Sequence, residues 1–226
     1  MKTTIFLILA LSLAVHCQAP AKKIEITMFI ESLCPDCTRS VSQSFGPAFD
    51  KGLLDMADVT FVPYGKMEQT YNSETKLYEY TCQHGPAECW GNTFQTCLLN
   101  GLKDEPRKAL DLMVCIYSFA DCKNRDFSHA LITCTTSANV DVLDQAKKCS
   151  HDYDQWQPLM KQNAELTPGY PQKIDHVPFV NVDGKHSEQE EENAIIGDVF
   201  KWACENYTGT DKPELCGAKS LSVIVE

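Results

Sequence analysis

The chain has 226 residues, a formal net charge of −11, and 43% hydrophobic and 23% charged residues, an ordinary globular balance with room for one substantial domain or a core carrying a large insertion. With 31 acidic against 20 basic residues and no Lys/Arg cluster, the composition argues against a nucleic-acid partner. Beyond the N-terminal leader no run approaches the ~18 consecutive apolar residues of a membrane-spanning helix, and no repeat or low-complexity tract interrupts the chain.

The N-terminus reads as a secretory signal peptide over 1–19. Lys2 supplies a positive start, Ile5 to Val15 an apolar stretch too short to span a bilayer, and small residues gather around Cys17, Ala19 and Ala21. The expected product, 20–226, passes through the secretory pathway without a membrane anchor. Asn206-Tyr207-Thr208 is a sequon that fits that route, with Asn206 as glycan acceptor. The same route accounts for the cysteines, 12 in the chain. Cleavage removes Cys17, and if Cys34 and Cys37 form one reversible pair, those left allow at most four bridges with one thiol over.

Ile24 to Ile30 alternates and then turns wholly apolar, the pattern of a strand whose end is buried. Cys34-Pro35-Asp36-Cys37 follows at once, and Thr38 to Phe49 has helical spacing in Val41, Phe45 and Phe49, with Pro47 predicting a kink or an end near Gly46. Val59 to Tyr64 is a second strand. Residues 66 to about 169 hold most of the cysteines and four helical stretches, 92–101, 106–119, 137–149 and 153–166, which together predict a helical, disulfide-braced insertion. Strand character returns at His176 to Val182, Asp183-Gly184 signals a hairpin, and Glu190 to Glu205 reads as a closing amphipathic helix with Ile195, Val199, Trp202 and Ala203 on one side. The order strand–helix–strand, insertion, strand–strand–helix is the thioredoxin plan. The expected fold is therefore α/β, thioredoxin-like, its core at about 22–65 and 170–206 and its insertion at about 66–169, between the second and third core strands.

A Cys-x-x-Cys that leaves a strand and opens a helix has specific chemistry available. Free N–H groups and the positive end of the helix dipole stabilise a thiolate on the first cysteine, Cys34, while Cys37, one turn in, resolves the mixed disulfide. Glu31 and Asp36 place negative charge nearby and are expected to oppose that thiolate. In thioredoxin-like folds a cis proline at the start of the third strand faces the redox cysteines and offers the preceding backbone to substrate, which marks Val177 and Pro178 as substrate-binding. Three blander readings compete: Cys34 and Cys37 as halves of separate structural bridges, a zinc site completed by His84 and Cys89, and a packing or surface role for His84 and His176. The oxidising compartment disfavours zinc, and no metal site is expected.

Cys82-Gln83-His84-Gly85-Pro86-Ala87-Glu88-Cys89-Trp90-Gly91-Asn92-Thr93-Phe94-Gln95-Thr96-Cys97 matches Cys-Gln-His-Gly-x2-Glu-Cys-x2-Asn-x4-Cys, and so the chain resembles the gamma-interferon-inducible lysosomal thiol reductase family. The resemblance covers most of the mature chain. It implies a reductase of protein disulfides in endosomes and lysosomes at acidic pH, with Cys34 attacking and Cys37 resolving, a small thiol as electron donor, disulfide-bonded proteins as substrates, and no metal or organic cofactor. Within the signature, Cys82, Cys89 and Cys97 are read as bridge cysteines, Gly85 and Gly91 as permitting turns, and Gln83, His84, Glu88 and Asn92 as structural. The single sequon leaves extracellular release open. The rival function is a secreted, disulfide-stapled binding protein whose redox pair is vestigial.

Overall fold

The computed structural model describes residues 21–136, 138–192 and 197–217. The expected signal peptide over 1–19 with Cys17, and Ser137, Ile195 and the residues from 218 onward, lie outside the described residues.

A four-stranded sheet forms the centre, in the order β2-β1-β5-β6. Strand β1 (Ile24–Ile30) pairs in parallel with β2 (Ala57–Pro63), from Ile24 opposite Ala57 to Ile30 opposite Pro63. On its other edge β1 meets β5 (Phe179–Val182) antiparallel, and the Asp183-Gly184 turn returns the chain as β6 (Lys185–His186). Two parallel strands crossed over by a helix, then an antiparallel hairpin beside the first strand, is the thioredoxin topology. Ile26, Met28 and Ile30 are fully buried on one face of β1, and at its end Phe29 is buried on the other, against Val62 and Ile174, which is why its sequence ends in an apolar run.

The crossover runs helical from Pro35 to Asp50 as α1 (Pro35–Arg39), a π-helical segment (Ser40–Phe45) and α2 (Gly46–Asp50), with α3 (Leu53–Met56) leading into β2. Pro47 does not end this helix. The turn before it widens instead, with the Gly46 N–H bonded to the Val41 carbonyl five residues back, so the proline ring is accommodated where a tighter turn would collide with it. Val41, Phe45 and Phe49 all enter the core, as their four-residue spacing predicts.

The insertion is not purely helical. It opens with an antiparallel hairpin, β3 (Glu68–Asn72) and β4 (Leu77–Thr81), standing as its own two-stranded sheet. Helices α4 (Pro86–Gly101), α5 (Pro106–Phe119), α6 (Ser128–Cys134), α7 (Val140–His151) and α8 (Tyr153–Leu166) follow. Helix α4 starts six residues earlier than the pattern from Asn92 suggests, because Gly85 turns the chain at a positive φ and Pro86 fits the first helical position. The short helix α6 has no counterpart among the expected elements. The expected closing helix over 190–205 is two pieces among the described residues, α9 (Glu188–Glu191) and α10 (Val199–Asn206), the second starting where the Asp198 carboxylate accepts the Lys201 N–H at 3.1 Å.

Among the described residues, four disulfides join Cys82–Cys89, Cys97–Cys149, Cys115–Cys134 and Cys204–Cys216. Cys34, Cys37 and Cys122 are free thiols. The first bridge ties the loop before α4 to that helix, the second α4 to α7, the third α5 to α6, and the fourth α10 to the C-terminal turn. No helix among the described residues is long and apolar enough to cross a membrane.

Candidate active site

Cys34 is the residue on which β1 hands over to α1. Its backbone is extended (φ −72°, ψ 123°), and its Sγ accepts the Cys37 N–H at 3.3 Å as the N-cap of the helix. The sulfur thus sits at the positive end of a helical segment, in line with an N–H that has no intrahelical carbonyl to bond. Cys34 is 5% exposed and Cys37 0%, so an incoming sulfur reaches Cys34 first. The hydrogen bond from the Cys37 thiol lowers the Cys34 pKa, the N–H groups of Cys37 and Asp36 add to this, and burial and the charge of Glu31 oppose it. Burial drives Cys37 well the other way, with Cys34 adding to the rise. One thiol is poised to ionise while its partner holds its proton.

The third strand completes the site. The Val177–Pro178 peptide is cis, and the Val177 carbonyl, 143 residues away in sequence, accepts from the Cys34 thiol at 3.7 Å. Between this loop and α1 runs a groove of about 680 Å³ lined by Asp36, Arg39, Gln43, Val177, Pro178 and Glu191 among others. His176 braces the loop: its Nε2 meets Glu191 at 2.6 Å, and the other Glu191 oxygen accepts the Val180 N–H at 2.9 Å. Burial lowers the His176 pKa, but its hydrogen bonds to Asp175 and Glu191 prevail and raise it.

The signature residues do not stand apart from this centre. Gly85, at φ +90°, turns the chain into α4. His84 Nδ1 lies 2.6 Å from Glu88 Oε2, and the His84 N–H donates to Glu88 Oε1 at 2.9 Å. One turn on, Asn92 Oδ1 accepts the Ser32 N–H at 2.8 Å, and the Ser32 hydroxyl donates to the Glu88 carbonyl at 3.1 Å. Glu88 and Asn92 therefore hold the segment that immediately precedes Cys34. Cys82–Cys89 fastens this corner, Cys97 anchors the far end of α4 to Cys149, and Gln83 is exposed. Gly91 makes no turn. It lies within α4, and a Cβ there would stand 2.5 Å from both Ser32 Oγ and Phe127 Cε2, so it is a close approach that requires the glycine. Gly91→Ala is expected to cost about 1–3 kcal/mol by overpacking, read as a lower denaturant midpoint; a change under ~0.5 kcal/mol, the size of an ordinary surface effect, would contradict the close approach.

Glu31 and Asp36, both expected to oppose the thiolate, differ in situation. Asp36 points into solvent and pairs with Arg39 at 3.0 Å. Glu31 is fully buried, and burial, with the charge of Glu88 next, pushes its pKa up to about 7. In acid it is a neutral carboxyl, so its opposition to a Cys34 thiolate falls away as pH drops. Because the folded chain binds this proton more tightly than the unfolded chain, Glu31 favours the native state in acid, and that contribution declines as pH rises from about 4.5 to about 7. Its burial was not foreseen; the available signal was a lone carboxylate closing an apolar strand just before the redox loop.

Cys122 also went unremarked in the sequence. It is the thiol left over by the four bridges, half-buried, with its Sγ 3.2 Å from Thr38 Oγ1 one residue past Cys37. Asn206 is exposed at the end of α10, its Nδ2 donating to the Trp202 carbonyl at 2.9 Å. Among the described residues, two groups of imidazole and carboxylate side chains have ligand atoms within 4.8 Å of one another, Glu31–His84–Glu88 and His176–His186–Glu191. In each a histidine nitrogen is already held by a carboxylate at 2.6 Å, so both are hydrogen-bonded clusters in their own right.

Against known proteins, the family model described as gamma interferon inducible lysosomal thiol reductase matches residues 25–138. A curated protein of that name from Carassius auratus is 31% identical over 198 residues, 87% of this chain and 73% of the relative. Its namesake from Mus musculus is 28% identical over 200 residues, 88% and 74% of the two chains. Among solved structures, the oxidoreductase DsbA from Xylella fastidiosa superposes with a TM-score of 0.44 at 12% identity, over 79% of this chain and 83% of that one. By the span of the family match and the identity to its members, the chain belongs to the gamma-interferon-inducible lysosomal thiol reductase family.

Proposed function

We propose that the protein reduces disulfides in protein substrates through Cys34 and Cys37, is recharged by a small thiol, and works in endosomes, lysosomes or the extracellular space. The observation that carries this reading is the Cys34 sulfur, capping a helix under the Val177 carbonyl with Cys37 directly behind it. An extended substrate segment lies along the groove beside the cis peptide, and the Cys34 thiolate attacks one sulfur of its disulfide. The first substrate thiolate leaves, and Cys37 then displaces the second, closing the Cys34–Cys37 disulfide. Two electrons pass from enzyme to substrate, so neither a metal nor an organic cofactor is called for. Acidic compartments suit the site because Glu31 is neutral there, and relatives carrying the lysosomal name support the destination.

The test is reduction of a disulfide-bonded protein by the purified chain with a small thiol donor, measured from pH 4.5 to 8. Cys34→Ser is expected to bring the rate down to that of the donor alone. Undiminished reduction by this variant overturns the reading and favours a binding protein with a vestigial pair.

A further inference from the structure

The loop that offers its backbone to substrate is held from behind by a helix that takes no part in the exchange. Ser187 caps α9, its hydroxyl accepting the Glu190 N–H at 3.4 Å. One turn of helix brings the Glu191 side chain back over β5, where it is 14% exposed. There the carboxylate spans the cis peptide. Glu191 Oε1 lies 2.6 Å from Nε2 of His176, just before Val177, and Oε2 accepts the N–H of Val180, two residues after Pro178, at 2.9 Å. Val180 stands just beyond the β5–β6 ladder, which pairs Asn181 with His186 and Val182 with Lys185. Side chains take its backbone groups instead: its carbonyl accepts from His186 Nδ1 at 3.0 Å, and the His186 ring stacks on Phe179 at 4.0 Å.

We propose that Glu191 is a positioning residue of the reductase: by gripping both flanks of the cis peptide it presets the Val177 backbone for an extended substrate, and it grips harder in acid, when His176 carries a proton on each ring nitrogen. The proposal rests on the reductase reading above. His176 Nδ1 stands 2.6 Å from Asp175 and Nε2 2.6 Å from Glu191. Carboxylates only accept, so both bonds exist together in the imidazolium, which has a donor on each nitrogen; the neutral ring has one N–H and keeps one of them. The charge on the ring also strengthens each bond. The charged and titratable groups around His176 are Asp175 beside it, Glu188, Glu191 and Glu192 from α9 and its end, His186 from β6, and Asp36 and Arg39 across the groove on α1. Burial lowers the His176 pKa, but the bonds to Asp175 and Glu191 outweigh it, so the doubly bonded ring persists to a pH above the ordinary 6.5. A substrate segment that meets a Val177 backbone already fixed has less ordering left to supply on binding. The thiol chemistry is separate, because the Cys34 pKa is set by the Cys37 hydrogen bond, by burial, and by Asp36 and Glu31, none of which lies on this loop.

The test mixes pre-reduced protein with an excess of a probe, two short uncharged Ala/Ser peptides joined by one disulfide, from pH 5 to 8.5. Closure of the Cys34–Cys37 bond is followed by quenched alkylation and mass spectrometry. The plateau rate at saturating probe reports exchange, and the half-saturating concentration reports binding. In the wild type that concentration should be level in acid and rise above pH 6.5. E191Q should raise it about tenfold at pH 5, the lower end for a hydrogen bond to a charged group. Its plateau, and the rate at which iodoacetamide alkylates Cys34 without using the loop, should keep their wild-type values. H176Q leaves the Val180 bond in place on a partly exposed side chain; it should raise the half-saturating concentration less and remove its pH dependence. An unchanged half-saturating concentration in E191Q overturns the positioning role, as does an alkylation rate that changes as much, since Glu191 would then act on the thiol or the whole fold. Where E191Q does not fold, H176Q decides: wild-type half-saturation and pH dependence in that variant overturn the proposal. A reduced wild type that the probe oxidises at no pH overturns the reductase reading itself.

Discussion

Replacing Cys37 by serine is expected to arrest the protein on its substrate as a covalent mixed disulfide. Cys34 keeps its place at the helix N-terminus in this variant, and the backbone N–H that points at its sulfur from 3.3 Å is untouched. The serine hydroxyl also supplies a donor in place of the thiol whose hydrogen bond lowers the Cys34 pKa, so the first attack proceeds. The second does not, because a hydroxyl of alcohol acidity has no nucleophile to offer a disulfide at these pH values. One equivalent of substrate should accumulate on Cys34, visible as an adduct in the intact mass and released by excess small thiol, while multiple turnover drops to the rate of the donor alone. The asymmetry of burial sets which variant traps: Cys37 has no exposed surface, so the converse variant, Cys34→Ser, should give no adduct. Adducts of equal yield from both variants would mean that either sulfur attacks, and the assignment of Cys34 as the attacking residue would fall.

The core was legible in the sequence because local pattern and tertiary demand agree there. The apolar end of β1 follows from its central place in the sheet, and Val41, Phe45 and Phe49 keep one face of the crossover helix inward despite Pro47. The hairpin β3–β4 was not legible. Its strands carry Gln69, Tyr71, Tyr78 and Tyr80 among charged residues, and most of its positions are exposed or only partly buried, so the two-residue period that marks a half-buried strand is faint. The closing helix was misread for the opposite reason: the periodicity of 190–205 runs on through Gly197 and Asp198, where the cap resets the chain.

The site divides along the same line. Cys34, Cys37, Val177 and Pro178 were legible because each has a chemical reason to be where it is in the sequence. The link from Glu88 and Asn92 to Ser32 was not, since those hydrogen bonds close over separations of 56 and 60 residues and depend on α4 packing behind the redox loop. The burial that raises the Glu31 pKa was invisible for the same cause. A carboxylate's charge is legible from its name only while it stays in water, and three-dimensional burial decides whether it does.

Separation along the chain also ranks the bridges. Cys97–Cys149 spans 52 residues and Cys82–Cys89 only 7. On the chain-entropy account, closing those loops restricts the unfolded chain by about 4 and about 2.5 kcal/mol respectively. The double variant Cys97→Ser/Cys149→Ser is therefore expected to lose about 4 kcal/mol, a large share of the ~5–15 kcal/mol that holds a domain together, and to lose more than Cys82→Ser/Cys89→Ser. Packing acts in the same direction, because Cys97 is buried in the main core, whereas Cys82 belongs to a smaller cluster of five buried residues with Tyr64, Met67, Met160 and Ala164, against which the partly buried Cys89 packs. Denaturant unfolding of the two double variants without reductant measures both. The reverse order would show that strain or residual structure in the unfolded chain outweighs loop closure.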